Sequence, residues 1–343
     1  MFLPHVHSFR ALAIIFILAG HVLGPVGVNR NVWQGRLQYS LLQNGTVYFV
    51  FIAGFLFQHL SGKFRFPDYL KRKALNVGMP YLLISIPKIT YDALGNRGLF
   101  SPDHPAHWPT LWQNVSWAYL TGNHIMGPLW FIPMISIYYL LAPLFLWLDR
   151  RETPYSLLPL LLVGSVFIHR PDYLGSTLQS AVHFLPVYLF GMWFSRNRDR
   201  ILAWHERWLP ALLALVALVV FLEVGYLKNG GNIYSPSMFS AEARLPDLNV
   251  VQKLLLCGIY LTVLRRCRTQ LHARLHYLAD ASFGVYFLHD YAIVVLHFIL
   301  RMLPVPRSVE VPLMVAAVLV LCGGLLWLSR RIFGRTSRLI FGY

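Results

Sequence analysis

The residue pair with the clearest chemical potential lies near the start of the chain, where Arg10 and His21 bracket an apolar stretch. They are the only ionisable residues between Phe9 and Gly24. Over eleven residues an α-helix makes about three turns and rises about 16 Å, so the two side chains share one face at opposite ends of the stretch. A neutral imidazole accepts a proton, as a general base does, and a guanidinium binds anions. The spacing therefore predicts a base and an anion-binding group on one helix.

A structural role for the same two residues is the alternative. Arg10 would anchor the helix at a membrane surface, and a neutral His21 would hydrogen-bond to a neighbouring helix. Gly20 and Gly24 favour such close packing, because a small residue every four positions lets two helices approach each other. The helix by itself leaves both interpretations open.

The composition places these residues in a membrane. The 343 residues are 56% hydrophobic and 13% charged, which is too apolar for a soluble protein of this length. The net charge of +16 comes from short basic clusters between apolar segments, a distribution that sets membrane orientation and argues against nucleic-acid binding. Cys257, Cys267 and Cys322 are scattered without metal-ligand spacing, so we expect neither a disulfide nor a metal site. The first apolar segment has no small-residue cleavage site and is expected to remain as an uncleaved helix.

Ten apolar segments predict an all-α, multi-pass membrane protein of about ten transmembrane helices, folded as a single domain over 1–343. In this topology the loops on one side carry 19 lysines and arginines, and the loops on the other side carry 8. By the positive-inside rule both termini are then cytoplasmic. The predicted segments are 9–28, 41–60, 74–94, 129–148, 155–169, 178–195, 208–227, 249–264, 279–302 and 311–330.

Several ionisable side chains fall in the outer half of the membrane in this topology. Charges are costly there, so such side chains usually face a water-filled cavity or a partner. Together they predict a polar vestibule that opens outward and binds an acceptor. The alternative is that each one extends from a helix end to the membrane surface. The set is Lys88, Asp92, His183, Glu223 and Lys253.

The ninth segment carries a further candidate cluster. Ser282, Tyr286 and His289 are four and three residues apart, a spacing that puts them on one helix face. His289 and His21 both fall toward the middle of the membrane. The spacing fits a substrate-binding face and a hydrogen-bonded seam between helices equally well.

Four stretches, in order along the chain, resemble the acyltransferase-3 family of membrane acyltransferases. The Arg10/His21 spacing is similar to the first-helix signature of that family and is the most specific of the four. Ala53, Asn76 and Pro128 stand where the family commonly has serine, arginine and histidine. The other three stretches are Phe49–Leu56 (FVFIAGFL), Leu129–Leu144 (LWFIPMISIYYLLAPL) and Ser282–His289 (SFGVYFLH).

The resemblance implies a stand-alone sugar O-acyltransferase of the bacterial inner membrane. It would transfer a short acyl group, acetyl or succinyl, from acetyl-CoA or succinyl-CoA to a hydroxyl of a cell-surface or lipid-linked glycan. His21 would be the general base, and Arg10 would hold the anionic donor with Lys71, Arg72 and Lys73. The implied partners are the glycan, the lipid bilayer and the machinery of polysaccharide synthesis or export. Acceptor binding would fall to Ser282, Tyr286, His289, Trp130, Lys88, Asp92 and Glu223.

Two other classes of function remain as alternatives. A secondary transporter or flippase for a lipid-linked sugar would also have many spans and midplane ionisable groups, but it predicts inverted repeats, and the sequence shows none. A non-catalytic partner of a polysaccharide synthase would not need the Arg10/His21 pair.

Overall fold

The chain folds into a helical bundle, in agreement with the predicted all-α membrane fold. The structure, a computed structural model, describes residues 2–151, 153–172, 176–238, 246–303 and 306–343. It is 80% helical and 1% strand. The helices are α1 (Pro4–Val22), α2 (Trp33–Leu42), α3 (Thr46–His59), α4 (Phe66–Lys73), α5 (Met79–Leu94), α6 (Leu111–Thr121), α7 (Phe131–Leu140), α8 (Ala142–Arg151), α9 (Leu158–Phe167), α10 (Thr177–Arg196), α11 (Arg198–Phe221), α12 (Leu248–Arg266), α13 (Thr269–Leu300), α14 (Arg307–Phe333) and α15 (Ser337–Phe341).

Two very short strands tie loops together at one end of the bundle. Strand β1 (Arg170–Pro171) pairs in parallel with β2 (Tyr234–Ser235). Arg170 lies opposite Tyr234 in this register. The pairing brings the segment after α9 against the segment after α11, although they are far apart in sequence.

Six helices of the described chain are long and apolar enough to cross a membrane, and a bent pair makes a seventh candidate. The bent pair is Gly127–Leu140 with Ala142–Arg151, at 57°. These seven coincide with seven of the ten predicted segments. The other three, 74–94, 155–169 and 178–195, fall on α5, α9 and α10, which are too short or not apolar enough to be counted with these seven. Ten spans and the membrane orientation therefore stay predictions.

Helix α1 lies at the centre of the bundle. It packs against α3, α12, α13 and α14, because its sequence is apolar on nearly every side. It begins with Pro4 in its first turn and ends at Val22, before a turn in which Gly27 has φ +76°. The predicted helix therefore exists, with earlier bounds than 9–28. Both residues of the Arg10/His21 pair lie on this single unbroken helix.

Helices α3 and α10 pack with their backbones in direct contact. A methyl group at Gly54 would lie 2.0 Å from the carbonyl oxygen of Tyr188, and one at Gly191 would lie 2.2 Å from that of Phe51. Small residues at such crossings let two helices approach within van der Waals contact of the main chain. Phe49, which is central to the candidate site below, lies on α3.

The Gly54 contact gives a stability prediction. Gly54→Ala forces α3 away from α10 and is expected to lower the free energy of unfolding by about 1–3 kcal/mol. Gly324→Ala on α14 is the matched control, since nothing lies within 4 Å of a methyl group there. Thermal unfolding of the two variants in detergent measures the difference. Equal melting temperatures would show that the close approach contributes nothing.

Candidate active site

Arg10 and His21 line two different cavities that meet along one face of α1. Arg10 lines a large cavity of about 1470 Å³, and His21 lines a smaller one of about 500 Å³. Phe49 and Phe131 line both cavities and so form the boundary between them. The predicted separation of the two side chains thus corresponds to two compartments.

The cavity around Arg10, here called the basic cavity, collects positive charge from distant parts of the chain. The lysines and arginines that line it outnumber its single side-chain carboxylate, that of Asp280, among the residues described. Arg72 and Lys73 belong to this wall as predicted, but Lys71 is exposed and lies outside it. Its cations are Arg10, Lys63, Arg72, Lys73, Arg330, Arg335 and Arg338.

The C-terminal arginines of this wall were not among the predicted donor-binding residues. Arg330 ends the last predicted apolar segment, and Arg335 and Arg338 follow it, where a basic cluster is typical of a loop at the membrane surface. The chain turns back after α14, with Gly334 at φ +55°, and α15 packs against α5 and α14. That turn brings Arg335 and Arg338 to the cavity beside Arg330, which lies on α14 itself.

Arg10 is held in the basic cavity by α13. Its Nη2 donates to the Ser282 hydroxyl at 3.0 Å, and that hydroxyl donates in turn to the carbonyl oxygen of Ala279 at 2.8 Å. Ser282 is fully buried. This contact orients the guanidinium and is not what a surface anchor makes. It also places Ser282 with the predicted donor group and not with the predicted acceptor residues.

His21 faces the smaller cavity, here called the histidine cavity. Its imidazole makes no hydrogen bond to any residue described, so the neighbouring-helix partner of the structural alternative is missing from that part of the chain. Its ring centroid lies 5.2 Å from that of His289 on α13. His21 is partly exposed on the cavity wall, whereas His289 is fully buried. The two central histidines predicted from the sequence are thus neighbours.

His289 has one ring nitrogen occupied and one available. Its Nδ1 lies 2.6 Å from the carbonyl oxygen of Tyr286, so this nitrogen carries the proton and donates it. Nε2 is buried without a hydrogen-bond partner among the residues described. The Tyr286 hydroxyl donates to the carbonyl oxygen of Pro128 and lines the histidine cavity. The predicted face of α13 therefore meets α1 at Ser282 and at His289, and Tyr286 between them reaches Pro128.

The histidine cavity has a polar and aromatic wall. Trp130 lines it as predicted, with its ring stacked on Phe184 at 5.6 Å between centroids. Arg170 and Asn44 also line it, and neither was predicted. The sequence carries no signal for either, since Arg170 sits in a loop and reaches this wall through the β1–β2 pair. Gln43, Asp172, Asn232 and Tyr234 complete its polar part.

The predicted outward vestibule does not form as one opening. Lys88 pairs with Asp92 on α5, and neither lines the histidine cavity. His183 is fully buried and hydrogen-bonds through Nδ1 to the carbonyl oxygen of Ile168. The five side chains lie in three separate places: the Lys88–Asp92 pair, His183, and Glu223 with Lys253.

Glu223 and Lys253 belong to a buried network around the end of α2. Glu223 accepts from the Ser40 hydroxyl at 2.7 Å and from the Gly231 amide at 2.9 Å. Lys253 donates to the carbonyl oxygens of Ser40 and Leu41 at 2.8 and 2.9 Å. Carbonyls at a helix end lack partners within the helix, and Lys253 satisfies two of them. The network fixes the break between α2 and α3 beside the histidine cavity.

One group of residues at the basic end has metal-ligand types. His7, His276 and Asp280 place one ring nitrogen or carboxylate oxygen each within 4.8 Å of one another. His7 Nε2 lies 3.5 Å from Asp280 Oδ1, and His276 Nδ1 lies 3.2 Å from Asp280 Oδ2. Polar contacts between the two imidazoles and the Asp280 carboxylate account for these distances, and the expectation that no metal binds stays a prediction.

The sequence comparison decides the class of protein. A family model described as an acyltransferase domain, that of acyltransferase-3, matches residues 5–327. The chain belongs to the acyltransferase-3 family. The match runs from α1 into α14, so it includes the Arg10/His21 helix and all of the histidine cavity, and it ends before Arg330, Arg335 and Arg338 of the basic cavity. Neither the curated proteins nor the solved structures gave a match. As an acyltransferase-3 protein with several membrane-spanning helices, the chain is a membrane acyltransferase, which favours acyl transfer over the transporter alternative.

Proposed function

We propose that this acyltransferase-3 protein transfers an acetyl or succinyl group from acyl-CoA to a hydroxyl of a cell-surface or lipid-linked glycan. The observation that carries the proposal is the pair of cavities that meet at Phe49 and Phe131, with Arg10 in one and His21 in the other. A two-substrate transfer needs two such compartments that share a wall. The inner membrane of a bacterium is the proposed location.

The basic cavity is the proposed donor site. CoA carries several phosphate charges, and arginine and lysine side chains bind phosphate through charge-assisted hydrogen bonds. Arg10 is the cation of that wall that lies on the same helix as His21, so phosphate binding there aligns the donor with α1. The thioester end would extend between Phe49 and Phe131 toward His21.

His21 is the proposed general base in the histidine cavity. The acceptor hydroxyl oxygen forms a bond to the thioester carbonyl carbon while His21 takes the hydroxyl proton. The carbon–sulfur bond then breaks, and the CoA sulfur leaves with the proton that His21 returns. His289 lies behind His21 with a free Nε2, and it is suited to orient the imidazole during this exchange. No metal takes part in this proposal.

Deletion of the gene tests the proposed function directly, because it should remove an acyl group from a surface glycan. Mass spectrometry of surface glycans from cells with and without the gene is expected to show an acetyl or succinyl mass that is present only with the gene. The purified full chain in lipid nanodiscs should release CoA from the matching acyl-CoA when the glycan is added. Identical glycan masses in both strains, together with no CoA release, would refute the proposal.

The pKa of Lys73 predicts a pH dependence of donor binding. Burial and the nearby Arg10 and Arg72 lower the pKa of Lys73, which precedes the predicted span 74–94, to about 8. A bound phosphate supplies the opposite charge and raises this pKa, so binding takes up a proton. Affinity for CoA is therefore complete below about pH 8 and falls as the pH rises through that value, by at most about tenfold per pH unit.

Calorimetric titration of CoA between about pH 7 and 9.5 measures this decline. Lys73→Arg is expected to remove it, because a guanidinium stays charged throughout the range. Lys71→Arg is the matched control, since Lys71 is exposed outside the cavity wall, and it should keep the decline. A Lys73→Arg protein with the wild-type pH profile would show that Lys73 does not contact the donor.

A further inference from the structure

Arg170 lines the histidine cavity with a guanidinium that has no hydrogen-bond partner among the residues described. It is 7% exposed, and its guanidinium carbon lies 4.8 Å from the ring centroid of Trp130 and 5.5 Å from that of Tyr234. Its side chain makes no hydrogen bond and no ion pair with any residue that the structure describes. A buried arginine is normally paired with a carboxylate or with several acceptors. Because Arg170 lines the cavity, a bound molecule is in a position to supply them.

Asn44 gives a second, independent observation at the same wall. It is 4% exposed, and both its side-chain amide nitrogen and its oxygen are buried without a partner in the described chain. The residue stands between α2 and α3 with φ 64°, a left-handed conformation that asparagine tolerates better than most residues. Asn232 also lines this wall, and its side-chain oxygen has no hydrogen-bond partner among the residues described. Buried amides are normally hydrogen-bonded, so two such groups without partners on one cavity wall indicate a place where a ligand binds.

We infer that Arg170, Asn44 and Asn232 form an anion subsite, and that the acceptor is an acidic sugar. A carboxylate or phosphate on the sugar would pair with the Arg170 guanidinium, and the two amides would bind neighbouring hydroxyls. This inference rests on the proposed function, because it names the class of glycan that enters the histidine cavity. The anion is a carboxylate or a phosphate, and the experiment below uses a separate probe sugar for each.

A neutral acceptor explains the arrangement less well. A guanidinium gains little from a hydroxyl compared with a charge-assisted bond, so a site for a neutral sugar would not need a buried arginine. The CoA phosphates are assigned to the basic cavity, which lies on the other side of Phe49 and Phe131, so they do not account for Arg170. The guanidinium carbon of Arg170 lies within 5.5 Å of the ring centroids of Trp130, Phe184 and Tyr234, and these ring contacts do not use up its N–H groups, which remain for the anion.

Binding of paired sugar probes to the full chain in detergent tests the subsite without any need for turnover. Methyl glucuronide carries a carboxylate, methyl glucoside is its neutral counterpart, and glucose 1-phosphate carries a phosphate. The wild-type protein is expected to bind at least one acidic probe about tenfold or more tightly than methyl glucoside, measured by thermal stabilisation and tryptophan fluorescence. The acidic probe that binds more tightly identifies the anion. Equal affinity for all three probes would overturn the inference.

Two variants and one control make the test specific. Arg170→Gln should reduce the preference for the acidic probe to about onefold, and Arg170→Lys should retain part of it. Asn44→Asp has the same shape and adds a negative charge, so it should remove the preference even if Arg170→Gln fails to fold. Arg97→Gln is the control. The guanidinium carbon of Arg97 also lies close to an aromatic ring, 4.2 Å from the Tyr91 centroid, but Arg97 does not line the cavity, so this variant should keep the wild-type preference. A preference retained in both Asn44→Asp and a folded Arg170→Gln would overturn the inference.

Acetyl-CoA binding and acyl transfer by the same proteins separate the two proposals. Loss of acetyl-CoA binding by the wild-type protein would refute the proposed function and leave the sugar-binding result standing. If Arg170→Gln lowers transfer to acidic and neutral acceptors equally and keeps the probe preference, Arg170 acts on the reacting carbonyl and the anion subsite is refuted.

Discussion

His21→Ala should reduce acyl transfer by about 10²- to 10⁴-fold, the usual contribution of a general base. In the proposed mechanism the His21 imidazole takes the hydroxyl proton; it lies on the histidine cavity wall, and no described residue hydrogen-bonds to it. His289 cannot replace it directly, since its ring is buried behind that of His21. The measurement is single-turnover transfer by the purified full chain with saturating donor.

Donor binding provides the control for that loss. CoA is expected to bind His21→Ala with wild-type affinity, because the basic cavity lies beyond Phe49 and Phe131. His297→Ala is the matched histidine control on α13, outside both cavities, and should transfer at the wild-type rate. A folded His21→Ala protein with wild-type turnover would exclude His21 as the base, and impaired CoA binding would show that the two compartments are not independent.

The helix periodicity was sufficient to predict the central part of the site. Residues eleven apart on α1, and three to four apart on α13, keep their faces in any straight helix, so Arg10, His21 and His289 could be placed before any tertiary contact was known. The packing of α1 against α13 then pairs Arg10 with Ser282 and His21 with His289. Contacts between two regular helices follow largely from such local rules.

Depth in the membrane was a poor guide to what a charged residue faces. Glu223 and Lys253 lie in the outer half of their predicted segments, as a vestibule would require, yet both are buried in a network that supports the end of α2. Hydropathy fixes how far along a helix a charge lies but not which neighbour satisfies it. Arg170 shows the converse, because a residue counted as a loop charge reaches the cavity through a two-residue strand pair.

Fewer of the described helices than the ten predicted segments are long and apolar enough to be counted as spans, for a related reason. Helix α10 is 20 residues long but carries polar residues such as Gln179, Ser180 and His183, all buried against its neighbours. A helix surrounded by protein does not need the hydropathy of one that faces lipid. Helix α5 contains Pro87 and is 16 residues long, which is shorter than a full span. Composition therefore identifies the lipid-facing helices α11 and α14 better than the interior ones that build the cavities.

Arg10→Lys should weaken acyl-CoA binding by about 10- to 100-fold, corresponding to the loss of one or more charged hydrogen bonds of about 1.5–3 kcal/mol. The Arg10 guanidinium donates from Nη2 to Ser282 and keeps its other N–H groups for the donor in the basic cavity. A lysine ammonium keeps the charge but is a single point, so it cannot bond Ser282 and a phosphate in the same planar geometry. Ser282→Ala should have a smaller effect in the same direction, because it frees the guanidinium without removing it.

Calorimetric titration of CoA into the full chain measures these affinities, and Arg331→Lys is the matched control. Arg331 lies near the end of α14 at the same end of the bundle, 4.6 Å from the Trp327 ring centroid and outside the basic cavity wall, so its replacement should leave CoA affinity unchanged. The sugar probes should bind Arg10→Lys as they bind the wild-type protein, because Arg10 does not line the histidine cavity. If Arg10→Lys binds acyl-CoA as tightly as Arg331→Lys does, Arg10 is only an anchor for α1 and the donor must be held by the arginines that follow α14.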